Sequence, residues 1–104
     1  MASSKDYLDF ILSQVEFLGD VTSRQMMGEY ILYYHGKIIG GIYDNRFLIK
    51  PVDFVIHNIP GKMVLPYSGA KQMYWIQDVK NSVLLCDVIQ MVYDELYNKK
   101  TPKL

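Results

Sequence analysis

The feature that most constrains the fold is a series of strand-forming segments between residues 21 and 50. Segments 30–35, 38–43 and 46–50 are rich in β-branched and aromatic residues, and an extended segment, 21–27, precedes them. Short stretches of turn-forming residues lie at 35–37 and 44–45. The pattern predicts an antiparallel meander of four strands with hairpin turns at these two places.

Apolar residues recur at helical spacing near both ends of the chain. The first stripe follows Ser3 or Ser4, either of which can cap a helix, and comprises Leu8, Ile11, Leu12, Val15 and Leu18. The last stripe follows Asp78, Asn81 or Ser82 and comprises Leu85, Val88, Ile89, Val92 and Leu96. Pro51 is predicted to end the fourth strand and to start a short helix.

The segments together predict an α+β fold. Its order is an N-terminal helix, the four-strand meander, a short helix, one or two further strands within 63–67 and 71–77, and a C-terminal helix. The helices are expected to lie on one face of the antiparallel sheet. At 104 residues, the chain is predicted to form a single domain over residues 1–104.

Strand alternation predicts which side chains share a face of the sheet. Tyr30 and Tyr34 are expected on one side and Tyr33 on the other. Gly28 is expected to form a bend or bulge between two strands, with Met26 or Met27 beneath a helix. The pair at residues 40–41, two glycines within a strand, predicts a bulge or a close approach of another backbone.

The charge balance and the cysteine count restrict the class of protein. Eleven basic and eleven acidic residues give zero formal net charge, so direct nucleic-acid binding is not expected. No uncharged stretch reaches the length of a membrane span, and no membrane association is predicted. Cys86 is the only cysteine, which excludes a disulfide within the chain and fits a reducing, cytoplasmic location.

The sequence contains no set of residues typical of catalysis. His35 and His57 lack partners at metal-ligand spacing, and Cys86 lies in an apolar helical stretch typical of a buried small residue. We therefore predict no catalytic residues, no metal site, no cofactor and no enzymatic activity.

A ligand site remains as an alternative to a purely structural use of the sheet. Arg24, Lys50 and Tyr30 could line a site for a small ligand or an anion, since arginine offers a planar fork to carboxylate or phosphate. The simpler interpretation is that the Arg24 stem covers a sheet edge while its head pairs with Glu29 or an aspartate. The many tyrosines favour core packing or a protein interface over base stacking.

The segment "VTSRQMMGEYILYYHGKIIGGIYDNRFLIK" resembles the N-terminal domain of the TfoX/Sxy family of competence regulators. The matching residues, which are mainly of structural types, are Thr22, Arg24, Met26, Gly28, Tyr33, Gly36, Lys37, Leu48 and Lys50. The first helix, the strand near "MYWIQD" and the last helix also fit, so the resemblance covers nearly the whole chain. On this resemblance, we expect a stand-alone N-terminal domain without the second, C-terminal domain that longer regulators of this family carry.

The resemblance implies a fold similar to that of type III secretion chaperones, homodimers, and a role in the regulation of bacterial competence. Together with the tyrosine content, it predicts a non-enzymatic regulatory or protein-interaction module that binds itself and another protein.

Overall fold

The computed structural model describes residues 2–98 and shows the predicted α+β fold. The helices are α1, Lys5–Gln14, α2, Asp53–Asn58, and α3, Ser82–Tyr93. The strands are β1, Val21–Met26, β2, Glu29–Tyr34, β3, Lys37–Ile42, β4, Phe47–Ile49, β5, Lys62–Val64, and β6, Met73–Trp75. A 3₁₀ turn, Glu16–Leu18, follows α1, and a π-helical segment, Asp94–Asn98, extends α3.

All six strands form one antiparallel sheet in the order β1-β2-β3-β4-β6-β5. The four-strand meander is confirmed, and the one or two later strands prove to be two short ones. The last of these, β6, pairs with β4, which leaves β5 at the far edge of the sheet. Strands β1 and β5 are therefore the two edges.

One face of the sheet, termed here the inner face, packs against the helices. Along β2 the side chains of Tyr30, Leu32 and Tyr34 are buried, as their alternation predicted, and they share one core with residues of all three helices. Helix residues in this core include Ile11 of α1 and Val55 of α2. The opposite face, termed the outer face, receives the intervening residues of each strand.

Three two-residue turns connect the strands of the meander. Their central residues, Met27–Gly28, His35–Gly36 and Asp44–Asn45, all have positive φ, as in the type I′ turns that suit the twist of a hairpin. The expected bend at Gly28 is thus a tight turn. The placement of Met26 or Met27 beneath a helix was wrong, because Met26 lies on the outer face and Met27 lies in the turn, where it is 97% exposed.

The glycine pair in β3 makes the close approach that the sequence predicted. The ladder between β2 and β3 shifts register at Leu32/Tyr33, which leaves an extra residue just before Gly40. A Cβ at Gly40 would press against the Leu48 carbonyl oxygen and lie 2.8 Å from the Ile49 Cα. Glycine is therefore needed for β3 and β4 to pair at this point.

Helix α1 begins at a side-chain cap and ends at a contact with α3. The Ser4 hydroxyl accepts a hydrogen bond from the Tyr7 backbone N–H at 3.1 Å. At the other end, the Ser82 hydroxyl donates to the Gln14 carbonyl. The helix stops there, so Leu18, which the sequence placed on the same stripe, lies in the following 3₁₀ turn and is only half-buried.

A Ser4→Ala variant should lose about 1 kcal/mol of unfolding free energy, because the Tyr7 N–H loses its partner. Urea unfolding followed by circular dichroism measures the change. Ser13→Ala is a suitable control within the same helix, since Ser13 is exposed and its hydroxyl bonds only to the Phe10 carbonyl. An equal loss in both variants would contradict the capping role.

Candidate functional site

A row of six residues crosses the outer face from one edge of the sheet to the other. The strand register aligns them directly in the order Arg24, Ile31, Gly41, Leu48, Trp75 and Lys62. Directly opposite residues of an antiparallel pair point to the same face. The structure therefore contains an apolar row with one cation at each end, which we call the outer row. Gly41 and Leu48 of this row are buried, whereas Ile31 and Trp75 are partly exposed.

The cation at the β5 end is in contact with the aromatic ring beside it. The Lys62 Nζ lies 5.4 Å from the centroid of the Trp75 ring, and the Arg46 guanidinium carbon lies 5.9 Å from the same ring. Both positions are within the range of cation–π attraction. Trp75 itself is half-buried.

A loop of residues 65–72 covers part of the outer face near β4. Arg46 holds this loop, because its Nη2 donates to the carbonyls of Leu65 and Pro66 at 3.3 Å each. Its Nε donates to the Tyr43 carbonyl at 3.1 Å. Within residues 2–98, no helix covers the part of the outer face that lies over β1 and β2.

An apolar groove of about 630 Å³ lies between this loop and the turn that joins β1 to β2. Ile31 and Tyr43 contribute from the outer face, and the Tyr67 ring lies 6.2 Å from the Tyr43 ring. The remaining lining residues are Ala2, Met26, Met27 and Glu29. The volume of the groove is within the usual range of about 300–1,000 Å³ for small-molecule sites. Its methionine side chains are flexible and can adapt to varied apolar partners.

The one carboxylate in the groove is already bound by neighbouring groups. Glu29 Oε1 accepts a hydrogen bond from the Ser3 hydroxyl at 2.5 Å, and its carboxylate also accepts from the Asp44 backbone N–H. The Ser3 N–H donates to the Gly28 carbonyl at 3.0 Å. Glu29 thus fixes the N-terminal segment and the Asp44–Asn45 turn beside the groove.

Tyr43 lies over the backbone of β3, and its surroundings change its acidity. A Cβ at Gly41 would lie 2.6 Å from the Tyr43 ring, so the glycine leaves room for the ring over the strand. Burial raises the pKa of the Tyr43 hydroxyl, and the neighbouring Tyr67, Glu29 and Tyr33 raise it further. The ring therefore remains neutral at any physiological pH.

The raised pKa of Tyr43 predicts a loss of stability in alkali. The unfolded chain releases the Tyr43 proton near the ordinary tyrosine pKa of about 10, whereas the folded chain retains it to higher pH. The contribution of Tyr43 to stability is therefore constant below that value and falls as the pH rises through it. Urea unfolding at pH 8 and pH 10.5 should show a smaller decrease for Tyr43→Phe than for the unmodified chain. Equal decreases would contradict the prediction.

The three residues predicted to bind an anion are not brought together. Tyr30 is buried on the inner face, whereas Arg24 is exposed on the outer face. The Lys50 Nζ donates to the Tyr97 hydroxyl at 3.3 Å and lies 5.8 Å from the ring of that tyrosine. Strands β1 and β4 are three positions apart, so Arg24 and Lys50 are separated by about 14 Å or more.

The alternative role for Arg24, a pairing with Glu29 or an aspartate, does not occur among residues 2–98. The ion pairs of this part of the chain are Lys5–Asp9 and His35–Asp20, and Glu29 bonds elsewhere. Arg24 instead presents an exposed cation beside Ile31.

Most of the residues that carry the family resemblance lie on the outer face. The register places five of the nine there, namely Thr22, Arg24, Met26, Tyr33 and Leu48. Gly28 and Gly36 occupy the hairpin turns. The three from β1 are exposed, so they do not contribute to the core.

Of the outer row, the sequence singled out only Arg24 as a candidate binding residue and did not show that the other members align with it. The sequence predicted that Met73 and Trp75 share one side of the sheet and that Tyr74 and Ile76 share the other. This was correct, because Tyr74 and Ile76 are buried in the core. The alternation in β2 also separates Ile31 from the buried tyrosines. The alignment of these residues depends on β6 pairing with β4, for which short strands contain no clear sequence signal.

Other reactive groups in the chain have ordinary surroundings. Burial raises the pKa of the Cys86 thiol, and the thiol lies 3.9 Å from the Gln14 carbonyl. His35 Nδ1 lies 2.7 Å from Asp20 Oδ2, and the imidazole packs against Tyr34 and Tyr93. In the described part of the chain, no three His, Cys, Asp or Glu residues are grouped so as to hold a metal ion.

Among residues 2–98, no helix has the length and apolarity to cross a membrane.

Comparison with known proteins identifies a relative of this chain. No family model matches the chain. A protein of Spirochaeta aurantia, described as an uncharacterised 12.7 kDa protein in the trpE 5′ region, is 37% identical over 79 residues. The match covers 75% of this chain and 68% of that protein. The chain therefore belongs to the same family as this Spirochaeta aurantia protein.

Proposed function

We propose that the chain is a non-enzymatic protein-interaction module whose outer face binds an acidic segment of another protein through apolar side chains. The observation that carries the proposal is the outer row, in which the partly exposed Ile31 and Trp75 lie between Arg24 and Lys62. Leu48, between them in the row, is fully buried. Exposed apolar surface rimmed by polar residues is typical of a protein-binding site.

The charge of the outer face favours an acidic partner. Its strand positions carry two cations, Arg24 and Lys62, and one carboxylate, Glu29. Arg46, just before β4, adds a third cation over the Trp75 ring. That carboxylate is already hydrogen-bonded to Ser3 and Asp44. An acidic segment therefore meets a complementary potential along the row, which speeds association and sets the orientation of the partner.

The groove supplies an anchoring point beside the row. An aromatic or aliphatic side chain of the partner would enter between Tyr43, Tyr67 and Met27 and rest on Ile31. Buried anchors of this kind provide most of the binding energy in protein interfaces.

Two other partners fit the geometry less well. Single-stranded nucleic acid would use the same aromatic side chains, but the balanced net charge lacks the cationic groove that such binding requires. An anion site built from Arg24 and Lys50 would need two residues that lie on separate strands, β1 and the end of β4.

The cellular role follows from the resemblance to the TfoX/Sxy regulators and stays a proposal. Under this proposal, the chain acts in the bacterial cytoplasm and forms homodimers. It regulates competence through the protein that it binds. The five motif residues on the outer face connect the resemblance to the proposed binding surface.

A peptide selection tests the binding function. The purified chain is screened against a displayed library of random peptides, and the enriched sequences are synthesised with a fluorescent label. Affinities are then measured by polarisation for the unmodified chain, for Ile31→Glu and for Val83→Glu. Val83 is a matched control, because it is a β-branched residue that is 72% exposed on α3, a helix of the inner face.

The proposal predicts enriched peptides that combine carboxylates with aromatic or aliphatic residues. Their affinity should fall by about 30-fold or more in Ile31→Glu and stay unchanged in Val83→Glu. Equal affinity for both variants, or tight salt-sensitive binding of a labelled single-stranded oligonucleotide in place of peptides, would contradict it.

A further inference from the structure

The two edges of the sheet differ in their protection against strand addition. At one edge, β5 has three residues, includes Lys62 and lies between Pro60 and Pro66. Short length, lysine and flanking proline are the usual means by which proteins block pairing at an edge. At the other edge, β1 has six residues, pairs with β2 without a register shift and contains neither proline nor lysine.

The hairpin register shows which backbone groups of β1 are available. In a two-residue hairpin, the closing pair, Met26 and Glu29, exchanges both hydrogen bonds, and bonded pairs then alternate along the ladder. The N–H and C=O groups of Val21, Ser23 and Gln25 therefore point away from β2. Among residues 2–98, none of the backbone hydrogen bonds formed outside the helices and strands uses Ser23 or Gln25, and both residues are exposed.

We infer that β1 pairs antiparallel with β1 of a second copy of this chain, about a two-fold axis through Ser23. The outward groups of Val21, Ser23 and Gln25 would meet Gln25, Ser23 and Val21 of the other copy, so every pair exchanges two hydrogen bonds. Two six-stranded sheets then form one continuous sheet, and the two outer faces become a single surface.

The register with its axis at Ser23 pairs all three outward residues of each strand, and charge disfavours a neighbouring register. With the axis at Ser23, Arg24 lies opposite Thr22 of the second copy. A shift of the axis to position 24 would preserve the hydrogen-bond pattern but place the two Arg24 side chains directly opposite each other. Like charges in that position are destabilising, and Arg24 is the only charged residue of the strand.

A second copy fits this edge better than an unrelated strand does. Sheet-edge recognition of foreign peptides relies on pockets that accept alternate side chains. The side chains of residues 22–26 are exposed and mostly polar, so β1 itself provides backbone groups but no such pockets. A self-complementary strand needs none, because two-fold symmetry pairs its outward backbone groups with the same groups of the second copy.

Disulfide trapping tests the pairing and its register. Ser23→Cys and Gln25→Cys are each made in a Cys86→Ala background, so that each chain carries a single thiol. Across the proposed axis, the two Ser23 Cα atoms lie about 5.5 Å apart, within disulfide range. The two Gln25 Cα atoms lie about 14 Å apart, which is too far for a disulfide.

Mild oxidation should therefore convert most of the Ser23→Cys protein to a covalent dimer on non-reducing gels and little of the Gln25→Cys protein. Equal cross-linking of the two variants would overturn the register, and cross-linking of neither would overturn the pairing.

Sedimentation of the chain without engineered thiols provides a second test. The unmodified protein should dimerise reversibly as its concentration rises.

Ser23→Pro removes an outward N–H, which an edge strand tolerates. The variant should weaken dimerisation about tenfold or more. Ser23→Thr retains the N–H and should dimerise as the unmodified chain does. A monomer at every concentration, or unchanged dimerisation of a folded Ser23→Pro variant, would refute the inference. No peptide is involved, so this result is independent of the test of the outer face.

Discussion

A Phe47→Ala variant is expected to lose about 3–5 kcal/mol of unfolding free energy. Phe47 is completely buried, and it is among the largest fully buried side chains of the described chain. It lies on the inner face of β4, opposite Ile42, so its removal leaves a cavity beneath the helices. For a domain whose total stability is about 5–15 kcal/mol, this loss is a large fraction.

The matched control for this variant is Phe17→Ala. Phe17 is 98% exposed, so the same change in side chain should alter stability by less than about 0.5 kcal/mol. Urea unfolding at low protein concentration, followed by circular dichroism, measures both variants. Similar losses in the two would show that the inner face does not contain the core described here.

A Gly40→Ala variant is expected to lose about 3 kcal/mol or more, since the added methyl group cannot fit between β3 and β4. Its Cβ would meet backbone atoms of Leu48 and Ile49, which cannot move without separating the strands. The pairing of these strands positions Gly41 beside Leu48 in the outer row. The variant should therefore unfold at much lower urea and also lose peptide binding at temperatures where it is partly unfolded.

Gly69→Ala is the control for this substitution. Gly69 has a φ of +86° in the loop of residues 65–72, and a Cβ there would have no neighbour within 4 Å. Only backbone strain is introduced, which costs about 1–2 kcal/mol. If Gly40→Ala proved no more destabilising than Gly69→Ala, the close approach of β3 and β4 would be wrong.

The meander was predictable because its signals are local. Two of its three turns are marked by Gly36 and by the Asp44–Asn45 pair, and the alternation of Tyr30, Tyr33 and Tyr34 between faces follows from strand geometry. The third turn was harder to identify, because Met27 adopts a positive φ that methionine rarely does. Its apolar character suggested burial, whereas the tight turn leaves it exposed.

The candidate site was less predictable because it depends on non-local pairing. Arg24 was singled out for its chemistry, but the structure aligns it with Ile31 and, across the sheet, with Trp75 and Lys62. That alignment requires β6, a three-residue strand, to pair with β4 after an intervening helix and β5. Lys50 was chosen for its charge, and contacts with Tyr97 place it elsewhere.

The early end of α1 has a similar cause. The apolar stripe continues to Leu18 in the sequence, but the Ser82 hydroxyl at the start of α3 bonds the Gln14 carbonyl. The Gln14 side chain also donates to the Val79 carbonyl at 2.7 Å. These contacts join distant parts of the chain, and helical periodicity contains no information about them.

The most direct test of the outer face as the binding surface uses Trp75, the only tryptophan of the chain. Acrylamide quenching of its fluorescence is measured with and without a saturating selected peptide that lacks tryptophan. Because Trp75 lies half-buried within the outer row, the bound peptide should shield it and lower the quenching constant by about half or more. A quenching constant that is unchanged while the peptide is fully bound would contradict the account.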